Sequence, residues 1–263
     1  MSQVISTYLE WQEIRGRLSG CVGFVPTMGA LHEGHASLFR RAKHECEIVV
    51  ASIFVNPTQF NNREDFEKYP NRLEQDLECL RREQVDYLIL PQYSELYADD
   101  YTFQVHETEF SRQMEGAHRP GHFDGVLTVV LKLLNWVNPQ RAYFGEKDYQ
   151  QYKLIQNMCA ALFLNIDVIG CPTVREASGL ALSSRNLRLS DHERNAIAPQ
   201  LYQALATAYS AGEAQLNLEI AGFRVDYVED VEGRRFAAAF LGDVRLIDNI
   251  ALPSIQSAVE ISL

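Results

Sequence analysis

Short apolar runs spaced along the first two thirds of the chain constrain its fold more than any other feature. They fall at residues 22–26, 48–55, 86–90, 142–144 and 166–169, and each is rich in Val, Ile or aromatic side chains. Each is about the length of a strand buried on both faces. The stretches between them have helical period. Residues 36–46 carry Leu38, Phe39, Ala42 and Cys46 on one face, and residues 72–84 carry Leu73, Leu77 and Leu80. Residues 126–137 are almost wholly apolar, which predicts a buried helix, and residues 148–163 place Tyr152, Ile155 and Cys159 at helical spacing. Strands alternating with helices predict an α/β domain with a doubly wound, Rossmann-like parallel sheet covered on both faces.

The pattern changes near residue 174. Residues 173–188 are polar and contain Ser178-Gly179, a loop signature. Ser190 with Glu193 reads as a capping box opening a long helix to about Ser210. Strand-like runs follow at 223–228, 235–241 and 244–247. Residues 1–173 are therefore expected to form the Rossmann-like domain and residues 174–263 a smaller α+β domain.

Bulk properties narrow the function. The 35 acidic against 24 basic side chains give a net charge of −11, so there is no basic footprint for nucleic acid or an anionic membrane. No apolar run is long enough to span a bilayer, and the first residues lack the apolar core of a signal peptide, so a cytoplasmic protein is expected. The five cysteines include no CxxC pair and read as small core residues rather than a disulfide or zinc framework.

Four strings carry chemistry. The first runs Val25-Pro26-Thr27-Met28-Gly29-Ala30-Leu31-His32-Glu33-Gly34-His35, between a strand and a helix, where doubly wound folds bind ligands. Gly29 and Gly34 would let backbone amides approach a phosphate, and His32 and His35 could both donate ring N–H groups to it. Half a metal site is the alternative, but no ligand-spaced Cys or carboxylate follows and the string is not HExxH. The second string ends the next strand and offers Asn56 and Gln59, neutral donors able to read a hydroxyl and a carboxylate; an Asn-Pro turn is the plainer reading. Asp76 lies on the following helix. In the third string, Lys147 offers a point charge for phosphates, Asp148 an oxygen for Mg²⁺, and Gln151 can reach the same cleft. The fourth, Leu182-Ser183-Ser184-Arg185-Asn186, brings two hydroxyls and a guanidinium. A further segment, Glu115 to Phe123, is either a structural turn or a second wall of the cleft.

PTMGALHEGH, SIFVNPTQF, RPGHF, FGEKDYQQ and LSSRN, in this order, resemble the motifs of the pantothenate synthetase family, and the likeness extends to VDYVEDVEG and LGDVRLIDN. That family belongs with nucleotidyltransferases sharing a His-x-Gly-His element, class I aminoacyl-tRNA synthetases among them. The resemblance implies an ATP-dependent, cytoplasmic, homodimeric ligase joining pantoate to β-alanine through a pantoyl adenylate, with Mg²⁺ and a C-terminal lid. It implies an ATP site of Met28, Gly29, Ala30, Leu31, His32, Glu33, Gly34, His35, Gly145, Glu146, Lys147, Asp148, Val174, Leu182, Ser183, Ser184 and Arg185. His35 would be the proton donor, with His32, Lys147, Ser183, Ser184 and Arg185 also catalytic. Gln59, Gln151 and Asn56 would hold pantoate and β-alanine, and Asp76 and Asp148 would stand near the metal. Gln75 occupies a place where some relatives carry a second aspartate. Two rivals are weaker. A nucleotidylyltransferase acting on a phosphorylated acceptor would favour cations where Gln59 and Gln151 stand. A silent nucleotide-binding protein would lack one of His35, Lys147 or Arg185, and all three are present.

Overall fold

The computed structural model describes residues 2–61 and 66–253. The chain divides into two compact units, Met1–Pro172 and Thr173–Leu263.

The first unit is built on a six-stranded sheet. Its strands are β1 (Gln3–Ile5), β2 (Val22–Thr27), β3 (Ile48–Ile53), β4 (Tyr87–Ile89), β5 (Arg141–Gly145) and β6 (Asp167–Cys171), in the order β1-β4-β3-β2-β5-β6. All pairings are parallel, with Thr27 opposite Ile53 and Phe24 opposite Ala142. Alternation along the strands sends side chains to two cores. Val22, Phe24 and Val50 face α1 (Tyr8–Arg15), α4 (His122–Val137) and α5 (Tyr149–Ala161). Val25, Val49 and Ala51 face α2 (Glu33–Glu45) and α3 (Leu73–Arg82). Helices thus cover both faces, as the apolar runs require. From β2 the chain steps one way to β3 and β4, and it later adds β5 and β6 on the other side. The crevice between the carboxyl ends of β2 and β5 is the topological switch point, where open α/β sheets bind ligands.

The edge strand β1 is absent from the sequence reading. With three residues, of which only Ile5 is buried, it shows no period, and pairing with β4 is what orders it. Helix α2 begins at Glu33 rather than near residue 36, and α4 at His122 rather than 126, so both functional strings run directly into a first helical turn.

The second unit packs α6 (Gln200–Thr207) and α7 (Ala211–Ile220) on an antiparallel sheet of β7 (Arg224–Val231), β8 (Arg234–Leu241) and β9 (Val244–Ala251). Its core draws on Leu201, Leu205, Leu218, Ala237, Ala239, Leu241 and Leu246. The Ser190–Glu193 capping box forms, each residue's side chain accepting from the other's amide. The long helix expected after it is broken. A π-type turn occupies Glu193–Ile197, and α6 stops at Thr207. Arg235, almost wholly buried, donates to the carbonyl oxygens of Leu205 and Ala208 as well as to Asp230, terminating α6. Ser210 then caps α7 by accepting from the Glu213 amide. A buried guanidinium from a distant strand is invisible to helical periodicity.

Candidate active site

The site begins where β2 ends. Thr27 donates its hydroxyl to the Ser52 carbonyl (2.7 Å) and accepts from the Gly29 amide (3.1 Å), tying the turn to β3. Gly29 (φ 80°) and Ala30 (φ 49°) are both left-handed, which turns the chain sharply. A Cβ at Gly29 would stand 2.9 Å from an oxygen of Asp76 and 3.1 Å from Ile53, so glycine is required there.

Asp76 explains the turn. It is 2% exposed on α3, and its two carboxylate oxygens accept the amides of Ala30 (2.9 Å) and Leu31 (2.7 Å). Burial pushes its carboxyl above the ordinary range despite these two bonds. Expected from the resemblance to stand near the metal, Asp76 here anchors the loop.

His32 caps α2. Its Nδ1 accepts from the Gly34 amide (3.1 Å), and the Nδ1 of His35 accepts from the His32 amide (3.2 Å), a capping box made of two imidazoles. Backbone N–H groups only donate, so both Nδ1 atoms are unprotonated and each neutral ring carries its proton on Nε2. The rings lie 4.1 Å apart. Burial and then the positive charge of Lys147 lower the His32 pKa to about 4, with Asp148 opposing. Burial, His32 and Lys147 lower His35 to about 3. Both rings are thus neutral Nε2–H donors at physiological pH, at the N-terminus of a thirteen-residue helix. His35, which the resemblance implies to be the proton donor, is here a hydrogen-bond donor through Nε2. The amides of Gly29, Ala30, Leu31, His32 and Gly34, by contrast, all donate within the protein.

Across the crevice, β5 ends at Gly145 and a 3₁₀ turn, Glu146–Asp148, leads into α5. Lys147 and Asp148 lie close enough to His32 to shift it in opposite directions, so the two strings meet, as the switch-point argument expects. Of the two adjacent glutamines on α5, Gln150 is structural: it accepts from the Glu115 amide and donates to the carbonyls of Phe110 and Gln113. Gln151, roughly 100° further round the helix, is half-buried and directed elsewhere.

After β3, Asn56 is 1% exposed and its amide is fully used. Its Oδ1 accepts from Tyr97, from the Thr58 hydroxyl and from the Thr58 amide, and its Nδ2 donates to the Gly125 carbonyl (3.2 Å) and to Gln59 Oε1 (3.1 Å). Asn56 is therefore part of the framework behind Gln59, not itself free to read a substrate. Gln59 Nε2 donates to Met28 Sδ (3.1 Å), joining the second string to the first. The RPGHF segment is a wall of this framework. His122 Nδ1 donates to the Gln59 carbonyl (2.8 Å) while its Nε2 accepts from Arg119 (3.1 Å), which selects the opposite tautomer from His32. A Cβ at Gly125 would lie 2.5 Å from the Thr58 carbonyl oxygen, so α4 seats directly on the Asn56–Gln59 turn. Tyr97, His122 and Gly125 were not among the site residues read from sequence. RPGHF was the only available signal, and of the three it contains His122 alone.

In the second unit, Leu182 donates its amide to the Val174 carbonyl (3.0 Å), bringing two of the expected ATP residues together. The Ser183 hydroxyl accepts from the Arg185 amide (3.2 Å) and opens the 3₁₀ turn Ser184–Arg188.

Residues 3–251 match the family model described as pantoate-beta-alanine ligase. The pantothenate synthetase of Bdellovibrio bacteriovorus is 53% identical over 252 residues, covering 96% of this chain and 100% of its own. That of Legionella pneumophila (strain Lens) is 52% identical, covering 95% and 100%. Among solved structures, the pantoate-beta-alanine ligase of Francisella tularensis, complexed with beta-gamma ATP and beta-alanine, superposes with a TM-score of 0.90 at 42% identity, covering 95% of this chain and 98% of its own. The histidine-capped loop, the meeting of the β2 and β5 strings and these likenesses agree: the chain belongs to the pantoate–β-alanine ligase family, enzymes that condense pantoate with β-alanine.

Proposed function

We propose that the β2–β5 crevice takes the phosphates of ATP and that pantoate is activated there as an acyl adenylate. A carboxylate is a poor electrophile at neutral pH, so amide formation needs a better leaving group. A pantoate carboxylate oxygen would attack the α-phosphorus, and the bond to the β-phosphate would break, releasing pyrophosphate. The β-alanine nitrogen would then attack the acyl carbon and lose a proton, and the carbon–oxygen bond to phosphorus would break, releasing AMP. The single observation that carries this reading is the imidazole capping box, which holds two neutral Nε2–H donors beside Lys147. Such donors stabilise charge that grows on phosphoryl oxygens without having to transfer a proton. Gln59 and Gln151 are assigned to pantoate, and Val174, Leu182, Ser183, Ser184 and Arg185 to ATP, on the family resemblance.

Mg²⁺ enters this reading as the companion of the triphosphate. Among the described residues no group of three His, Cys, Asp or Glu side chains is arranged to hold a metal, and Asp76 serves the loop amides. Asp148 is the one carboxylate proposed beside Mg²⁺-ATP, in keeping with an ion that is usually held by one or two carboxylates plus substrate phosphates. No helix among the described residues is long and apolar enough to cross a membrane. The reading extends to a cytoplasmic homodimer, checked by sedimentation.

The test is to run the halves separately. Enzyme with Mg²⁺-ATP and pantoate alone should release about one pyrophosphate per site and stall, the adenylate being held from water. Pantoate labelled with ¹⁸O in its carboxylate should pass one label to AMP once β-alanine is added. ADP and phosphate as products, or unlabelled AMP, would refute the adenylate.

A further inference from the structure

The pantoate reading of Gln59 leaves undecided which half of its amide the substrate meets. The bonds behind it decide. Asn56 cannot turn over, because its Oδ1 faces the Thr58 backbone N–H (3.4 Å), which only donates, and its Nδ2 faces the Gly125 carbonyl (3.2 Å), which only accepts. Among the donors to Oδ1 the shortest bond comes from the Tyr97 hydroxyl, at 2.9 Å. Asn56 Nδ2 in turn faces Gln59 Oε1 (3.1 Å), so the Gln59 carbonyl accepts from behind, and its NH₂, which gives one N–H to Met28 Sδ (3.1 Å), has a second N–H to offer a ligand. The Tyr97 ring is 2% exposed and held edge-on against Tyr101, with centroids 5.5 Å apart, so the hydroxyl position is set by the core before any substrate arrives.

We propose that Tyr97 is a positioning residue for the ligase reaction: with the Thr58 amide and the Gly125 carbonyl it holds the Asn56 amide that engages the Gln59 carbonyl, so that Gln59 presents an N–H and the site selects a substrate with an acceptor atom, a carboxylate or hydroxyl oxygen, at that point. The relay Tyr97 → Asn56 → Gln59 runs in one direction, and each bond polarises the next. It rests on the assignment of Gln59 to pantoate, and the test separates the two.

Steady-state constants would be measured for Tyr97→Phe, Gln59→Ala, the double variant and Gln59→Glu, with melting temperatures alongside. Tyr97→Phe keeps the ring and removes one donor, so the KM for pantoate should rise about 3- to 10-fold with the KM for ATP unchanged. In the Gln59→Ala background the same change should add nothing further. Gln59→Glu still accepts from Asn56 but offers the substrate a second acceptor, and should bind pantoate no better than Gln59→Ala. The relay is overturned if Tyr97→Phe lowers only the melting temperature, if its effect persists undiminished without Gln59, or if Gln59→Glu keeps the wild-type KM for pantoate. If instead Gln59→Ala leaves that KM unchanged, the assignment of Gln59 itself falls.

Discussion

Replacing Asp76 by Asn tests whether a buried carboxylate shapes the loop that carries His32 and His35. Asp76 accepts two amides, at 2.9 and 2.7 Å, and is almost wholly buried. A hydrogen bond to a charged group contributes about 1.5–3 kcal/mol net, and charge-assisted bonds are roughly twice as strong as neutral ones. Asn keeps one acceptor, now neutral, and turns an NH₂ toward the other amide, so one bond is halved and one replaced by a donor–donor contact. The expected loss is about 2–4 kcal/mol, and at about 2–4 °C per kcal/mol for a unit of this size the melting temperature should fall by roughly 5–15 °C. The surviving enzyme should release pyrophosphate slowly, because the same loop carries His32 and His35. Calorimetry and a coupled pyrophosphate assay across a Mg²⁺ titration give the two readouts. A metal ligand lost at Asp76 would be compensated by excess Mg²⁺, and a misplaced loop would not. Wild-type melting and turnover, or recovery at high Mg²⁺, would refute the anchor.

The other expectations are narrower. His35→Ala should cut pantoate-dependent pyrophosphate release by about 10²–10³-fold, as for loss of an oxyanion-type donor, and destabilise by only about 1 kcal/mol through half of the capping box; near-normal turnover would remove His35 from the phosphate site. Both histidines have pKa values far below the ordinary imidazole value, at about 4 and about 3, so they should contribute no inflection to kcat/KM for ATP between pH 5.5 and 8. An inflection near 6.5 that disappears in His35→Ala would contradict this. The same depression means the unfolded chain binds more protons than the folded one between the ordinary and the lowered values, so stability should be complete above about pH 6.5 and fall as pH drops toward 4, less steeply in the His32→Ala variant. Gly125→Ala puts a Cβ 2.5 Å from a backbone oxygen and should destabilise by about 1–3 kcal/mol while raising the pantoate KM, read by melting and titration together.

What could be read from the sequence, and what could not, divides along the range of the interaction. Strands β2 to β5 announce themselves because burial on two faces demands continuous apolar runs, the edge strand β6 showing a short one, and the switch-point rule then puts His32, His35 and Lys147 at one crevice without any coordinates. Asp76 and Asn56 were found as polar residues near that crevice, but their roles depend on groups 45 and 69 positions away, the Leu31 amide and the Gly125 carbonyl. No local pattern distinguishes a carboxylate waiting for a cation from one already holding two amides. Tyr97 escapes altogether, because a buried tyrosine in a short helical turn satisfies every rule for a core residue, and only its hydroxyl, 41 positions from Asn56, says otherwise. The residues readable in advance are those that would touch substrate, since their chemistry is rare in a core. Those that aim them are made of ordinary core and loop types, so they emerge only when donors and acceptors are counted pair by pair.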